Sequence, residues 1–354
     1  MQAYKWIEKA YRHRASDVHF SIDEHPKCRI DGTLRNLDQA VLSRKDCREL
    51  ARELIGENGA LIKKLKQHGS VDFARDVGKI RCRINVYSQR GSLAAAIRLL
   101  PEVIPALETL GLPSIVQRFW QIPKGLVLIC GPTGSGKSTT LASILNQINQ
   151  SKPVHIMTLE DPIEYLYPKG RAMIHQREIG SDVIDYRQGL RAALREDPDV
   201  LLIGEMRDAE TVKIALEAAE TGHLIFSTLH TPTADGAIDR MLSLFPDQNQ
   251  AAQIRQVLSM NLKAVLWQQL LPNKNRTGRV CASEVLVATT AVQNLIRQNE
   301  KEQLYNFMMT ESRFGSQTME ADLLRLWKDG AISYQTAVYF ARDAKRMKET
   351  LKKS

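Results

Sequence analysis

The sequence predicts an α/β protein: a parallel β-sheet flanked by helices, preceded by a smaller α+β domain and followed by a helical cap. Three observations carry this prediction. Apolar strand-like runs alternate with helical segments from Leu126 to Leu229, the pattern of a parallel sheet with helices on its faces. One of these runs passes through a glycine-rich turn into a helix. Ahead of it, Pro101, Pro105 and Gly111-Leu112-Pro113 punctuate the chain and mark a linker.

In chain order, residues 2–14 have helical spacing at Tyr4, Ile7 and Tyr11. Val18–Ile22 and Lys27–Ile30 flank a His25-Pro26 turn and run on to Asp31-Gly32, a hairpin signal. Arg44 to Leu65 is helical with breaks near Gly56 and Gly59, and residues 71–74, 79–87 and 93–100 read as strands. Past the linker, Leu126–Cys130, Val154–Leu159, Val200–Gly204 and Leu224–Leu229 read as buried strands, with helices at Gln188–Arg195 and Ala209–Glu220. From Ala291 the pattern is helical, with Leu323, Leu326 and Trp327 at core-like spacing. The expected domains are therefore 1–98, a linker at 99–112, a core at 113–290 and a helical region at 291–354.

Composition bounds the class. With 354 residues, 43% apolar and 25% charged, the chain reads as a soluble globular protein of two domains. The formal charge of +9 invites a nucleic-acid reading, but it is dispersed, and the stretch 342–354 alone contributes six Lys/Arg against Asp343 and Glu349. A solvated helix end explains that run most simply. The five cysteines include no C-x-x-C pair, which argues against zinc and disulfides and fits a reducing cytosol. No apolar run reaches the ~18 residues that span a bilayer, so a cytoplasmic location with peripheral membrane contact is expected.

The chemistry centres on Gly131-Pro132-Thr133-Gly134-Ser135-Gly136-Lys137-Ser138-Thr139. Glycines at 131, 134 and 136 let backbone N–H groups converge on an anion at a helix N-terminus, Lys137 is placed to reach the terminal phosphates, and the Ser138 hydroxyl to ligate Mg²⁺. These residues point to ATP and Mg as ligands. Open parallel sheets bind ligands beyond the carboxyl ends of their strands. Each predicted strand ends in polar residues there: Glu160-Asp161 with Glu164, then Glu205 with Arg207 and Asp208, then His230. Glu205 is placed to hold Mg²⁺ or to act on an attacking water, and Glu164 is the second carboxylate candidate. Asp208 reads more simply as a helix cap, and Glu160 or Asp161 as closing a turn. His230 and His223, at opposite ends of one strand, are candidates to sense the γ-phosphate or to link the site to a neighbouring subunit.

GPTGSGKSTT at 131–140, TLEDPIEY at 158–165, RAALREDPDVLLIGEMRDAET at 191–211 and TGHLIFSTLHT at 221–231 resemble the Walker A, Asp-box, Walker B and His-box segments of secretion ATPases, above all the pilus retraction ATPases of the PilT family. ASDVHF at 15–20, RIDGTLR at 29–35 and RCRINVYSQRG at 81–91 resemble that family's N-terminal domain. The resemblance implies a PAS-like first domain, a RecA-like ATPase core and a homo-hexamer. It implies Glu164 as the catalytic glutamate, Glu205 as the Walker B glutamate, and Arg83 and Arg98 of the first domain acting on the nucleotide. Arg195 and Arg207 match family arginines that link domains or subunits.

The implied work is pilus retraction through an inner-membrane platform protein, with the extension ATPase as a further partner and no nucleic acid. The absence of a four-cysteine zinc insertion favours retraction over extension. The family's A-I-R-N-L-I-R-E segment reads Ala-Val-Gln-Asn-Leu-Ile-Arg-Gln at 291–298. That departure leaves open a related secretion or DNA-uptake role, or a nucleotide-switched regulator.

Overall fold

The computed structural model describes residues 2–30, 32–100, 103–310 and 312–353. Asp31 of the expected hairpin and Pro101 of the expected linker lie outside the described residues. Two compact units form, Met1–Val103 with Pro162–Leu166, and Ile104–Asp161 with Tyr167–Ser354.

The first unit runs α1 (Gln2–Arg12), β1 (Asp17–Phe20), β2 (Lys27–Ile30), β3 (Thr33–Asn36), α2 (Arg44–Ile55), α3 (Gly59–His68), β4 (Ser70–Val77), β5 (Ile80–Gln89) and β6 (Ser92–Leu99). Its strands form one antiparallel sheet in the order β3-β2-β1-β6-β5-β4. Strand alternation decides its two faces. On β5, Ile80, Cys82, Ile84 and Val86 are buried in a core shared with Trp6 and Ile7 of α1 and with Leu50 and Leu54 of α2. Arg81 and Arg83 consequently point to the other face. Helix α2 starts where Ser43 and Asp46 cap each other reciprocally, Ser43 Oγ accepting from Asp46 N at 3.2 Å and Asp46 Oδ2 from Ser43 N at 2.8 Å.

The second unit contains β7 (Gly125–Cys130), α4 (Lys137–Ser151), β8 (His155–Glu160), β9 (Met173–Glu178), α5 (Tyr186–Ala193), β10 (Val200–Ile203), α6 (Ala209–Glu220) and β11 (Leu224–Leu229). It continues with α7 (Gly236–Leu242), α8 (Gln248–Asn261), β12 (Leu262–Pro272) and β13 (Arg279–Val287). Among the described residues there follow the helices α9 (Thr290–Gln298), α10 (Glu302–Thr310), α11 (Met319–Lys328), α12 (Tyr334–Phe340) and α13 (Ala344–Lys353). The sheet order is β13-β12-β7-β11-β10-β8-β9. Strands β12 through β9 are parallel, and β13 returns antiparallel to β12. A short hairpin connection permits no parallel return, so the sheet is mixed where the sequence led us to expect a parallel one.

Both faces are covered. Leu126, Leu128 and Cys130 of β7 pack toward α6, α7, α8 and the C-terminal helices, whereas Val127 and Ile129 pack toward α4. This is why the central strands are apolar throughout rather than alternating. Within the stretch 99–112, Leu107 and Leu112 are buried against α4 in the second unit. Pro162–Leu166, expected within 113–290, groups with the first unit.

Ile129 is fully buried in the strand that leads to the glycine-rich turn. Ile129→Ala is expected to lower unfolding free energy by about 2–5 kcal/mol, read as a reduced denaturant midpoint at unchanged slope.

Candidate nucleotide-binding site

Strand β7 ends at Cys130, the loop 131–136 turns back, and α4 begins at Lys137. The loop needs its glycines: Gly131, Gly134 and Gly136 have φ of 138°, 76° and 92°. A Cβ on Gly131 would lie 2.3 Å from the Gln268 carbonyl oxygen and 2.8 Å from Ser135 Oγ. The loop is thus pressed against β12, and Gln268 Nε2 donates to the Ser135 carbonyl at 2.8 Å. Lys137 is buried, its Nζ donating to the Gly131 and Pro132 carbonyls at 2.9 and 2.8 Å. Pro132, Thr133, Gly134 and Ser138 are exposed around this ammonium, and Thr139 is half-buried.

Two buried polar atoms here, Ser135 Oγ and Gln268 Oε1, have no hydrogen-bond partner. Buried polar groups are normally satisfied, so orphans beside a fixed cation and a helix N-terminus suit an anionic ligand. The loop fits a polyphosphate.

The neighbouring strand ends supply charge. Beyond β10, Glu205 Oε2 accepts from Arg207 Nε and Nη2, both at 2.8 Å, and lies 4.0 Å from His230 Nε2 beyond β11. Gly204 has no room for a side chain, since a Cβ would meet Tyr186 Oη at 2.7 Å. That phenol is pushed above its ordinary range by burial and by the charges of Asp161, Glu205 and Glu160, with Arg207 opposing. Glu160 itself accepts from Thr158 Oγ1 at 2.6 Å and Gln176 Nε2 at 3.2 Å.

Among the described residues no group of three or more His, Cys, Asp or Glu side chains forms a metal cage. Mg²⁺ ordinarily takes one or two carboxylates together with substrate phosphates and waters, for which Ser138 and Glu205 are suitable donors.

Asp208 caps α6, accepting from Thr211 N at 2.9 Å, as the simpler reading of it expected. Glu164 is half-buried between buried Ile163 and Tyr165 in the segment that groups with the first unit. Arg83 and Arg98 are direct cross-strand partners on β5 and β6. Asp72 holds Arg83 at 2.6 Å and Asp17 holds Arg98 at 3.2 Å, which offsets the repulsion of like charges side by side.

Two candidates fall elsewhere. His223 precedes β11, its Nδ1 within 2.9 Å of the Ala218 carbonyl, and its own carbonyl accepts from Gly125 N at the start of β7. A strand rises about 3.3 Å per residue, so His223 lies a full strand length from the glycine-rich loop of its own chain. Arg195, following α5, is likewise at the end of the sheet away from the loop. It lines a separate cavity of about 760 Å³ with Lys213 and Phe245. Residues that precede a parallel strand cannot share an end with those that follow it.

Sequence reasoning missed the brace behind the site. Trp267 Nε1 donates to the Thr231 carbonyl at 2.7 Å, and Glu284 of β13 accepts from Ala234 N at 2.9 Å. With Gln268, these side chains hold the glycine-rich loop and the loop after His230 from one hairpin. The signal was polar residues set inside apolar strand runs.

A central strand of a doubly covered sheet that runs through a phosphate-type loop into a helix defines an α/β P-loop protein. The sequence profile of the type II/IV secretion system protein family matches residues 2–336. The chain belongs to that family. It is 40% identical over 324 residues to the type IV pilus retractation ATPase PilT of Pseudomonas aeruginosa, covering 91% of this chain and 93% of that one. To the uncharacterized protein YggR of Escherichia coli it is 43% identical over 315 residues, 89% of this chain and 94% of the other. The crystal structure of the pilus retraction motor PilT with bound ADP superposes with a TM-score of 0.91 at 45% identity, covering 98% of both chains.

Burial raises the Glu284 carboxyl from its ordinary 4.5 to about 7, the Ala234 hydrogen bond acting in the opposite sense. A raised carboxyl stabilises the fold below the unfolded value, and that contribution is lost as pH rises through the folded one. Glu284→Gln is therefore expected to gain stability relative to the parent between about pH 5 and 8, by roughly 3 kcal/mol at most, in denaturant titrations at each pH.

Proposed function

We propose that the chain is a Mg-dependent ATPase that works as a homo-hexameric motor of type IV pilus retraction, acting through an inner-membrane platform protein at the cytoplasmic face. The carrying observation is the braced glycine-rich loop, with Lys137 buried at its centre and Glu205 and His230 at the adjoining strand ends. Likeness over nearly the full length to a pilus retraction motor described with bound ADP supports the same reading.

In this reading the loop N–H groups and Lys137 hold the phosphates, while Ser138 and Glu205 hold magnesium, which when bound would offset charge on the β- and γ-phosphate oxygens. Glu164 takes a proton from the attacking water as its oxygen bonds to the γ-phosphorus and the bond to ADP breaks. Arg83 and Arg98 supply fixed positive charge to the γ-phosphate, for which planar guanidinium groups are suited. Their pairing across β5 and β6 presents two such forks side by side on one open face. His230, near Glu205, is placed to respond to the state of the γ-phosphate. His223, Arg195 and Arg207 serve between subunits, a role that the position of the first two, away from the loop of their own chain, makes more natural. In a closed ring each interface is heterologous, so hydrolysis moves rigid bodies against one another.

A second reading draws on α9. Relative to the family segment, charge is lost at Gln293 and Gln298 while Val292 and Ile296 remain buried. The helix keeps its packing but presents a different surface, which suits a motor of a related secretion or DNA-uptake system.

Steady-state phosphate release by the purified chain with Mg·ATP tests the chemistry. Lys137→Ala should abolish turnover, and Glu164→Gln should lower it by about 10²–10⁴-fold. Full activity in both variants would overturn the mechanism. Deleting the gene should give hyperpiliated cells without surface motility, whereas loss of pili would contradict a retraction role.

A further inference from the structure

One exposed face of the second unit has no part in the site. Helix α13 carries Lys345, Arg346, Lys348, Lys352 and Lys353 against one acid, Glu349. Its long apolar side chains, Met347 and Leu351, are buried, which turns the basic side of the helix outward. All five cations are exposed. Elsewhere on this unit arginines find acids: Arg187 pairs with Glu210, Arg207 with Glu205 and Arg342 with Asp235. No cation of α13 has an ion pair among the described residues. The preceding helix α12 packs against α13 and leaves Tyr339 80% exposed, with Tyr334 also at the surface.

We propose that the outer face of α13, together with Tyr339, is a docking surface for an anionic lipid bilayer. The inference goes beyond the motor reading and does not depend on it.

Charge complementarity selects the partner. Four of the five cations are lysines, compact point charges suited to a diffuse negative surface, whereas nucleic-acid readout favours the bidentate fork of arginine. Exposed tyrosines fit the same surface, because a phenol ring sits comfortably at headgroup level with its hydroxyl in water. Each Lys or Arg close to an anionic leaflet changes partitioning by about fivefold, so a net excess of four on α13 gives on the order of 10²–10³-fold preference for anionic over neutral lipid. Salt should weaken that preference, because the interaction fades within a Debye length.

Vesicle flotation of the full chain tests this. At about 0.1 M salt the chain should float with vesicles of phosphatidylcholine and phosphatidylglycerol and not with phosphatidylcholine alone. Replacing all five cations by glutamine should remove flotation while leaving the heat-unfolding midpoint and phosphate release at parental values. Should that variant fold poorly, Lys352→Gln with Lys353→Gln near the chain end should still weaken binding by about 25-fold. Tyr339→Ser should weaken it by a smaller factor. Equal binding to neutral vesicles, or undiminished binding by folded glutamine variants, would overturn the proposal. So would tight binding to double-stranded DNA with none to anionic vesicles, which would assign the face to nucleic acid.

Discussion

The contact on which the site depends is the close approach of the glycine-rich loop to β12. At Gly131 the loop leaves no space for even one carbon against the Gln268 backbone, and the Gln268 side chain reaches back to the Ser135 carbonyl. A phosphate loop works by presenting N–H groups already aimed at an anion, so its conformation must be held before ligand arrives. Here the holding is done from behind, by a strand far along the chain. The preceding residue, Trp267, points to the other face of β12 and fixes the loop that follows His230. Glu284 on β13 fixes the same loop three residues further on. One hairpin therefore sets two of the loops from which the site is built.

That arrangement explains the cost accepted at Glu284. A carboxyl that is 3% exposed is expensive to ionise, and an apolar residue would avoid the expense. What it provides is an acceptor for the Ala234 N–H in a buried turn, where an unsatisfied donor would itself be destabilising. Glycine at 204 reflects the same crowding, since the Tyr186 hydroxyl occupies the space a side chain would need.

Much of the fold was legible in the sequence because buried parallel strands must be apolar on both faces: Leu126–Cys130, Val200–Ile203 and Leu224–Leu229 stand out as continuous runs. The edge strand Met173–Glu178 was not legible, since Met-Ile-His-Gln-Arg-Glu is half solvated and carries no such run. The hairpin of β12 and β13 was missed although Leu262–Leu271 is largely apolar, because attention to strand, turn and helix alternation gives no weight to an antiparallel addition at the sheet edge. In the site, the glycine-rich loop and the residues right after β10 and β11 could be placed by chain order alone. Gln268 could not, because its partner Ser135 is distant in sequence and only the folded sheet brings them together. His223 and Arg195 lie at the end of the sheet away from the glycine-rich loop, and chain order alone could not say whether they serve the site of their own chain or a neighbouring subunit.

The central claim, that β12 holds the glycine-rich loop ready for nucleotide, is tested most directly by measuring ADP affinity in Gln268→Ala by calorimetry. Removing the amide leaves the Ser135 carbonyl without its donor, a cost of about 1–3 kcal/mol, so affinity should fall by roughly 5- to 150-fold while the heat-unfolding transition stays cooperative. Parental affinity in a folded Gln268→Ala variant would contradict the account.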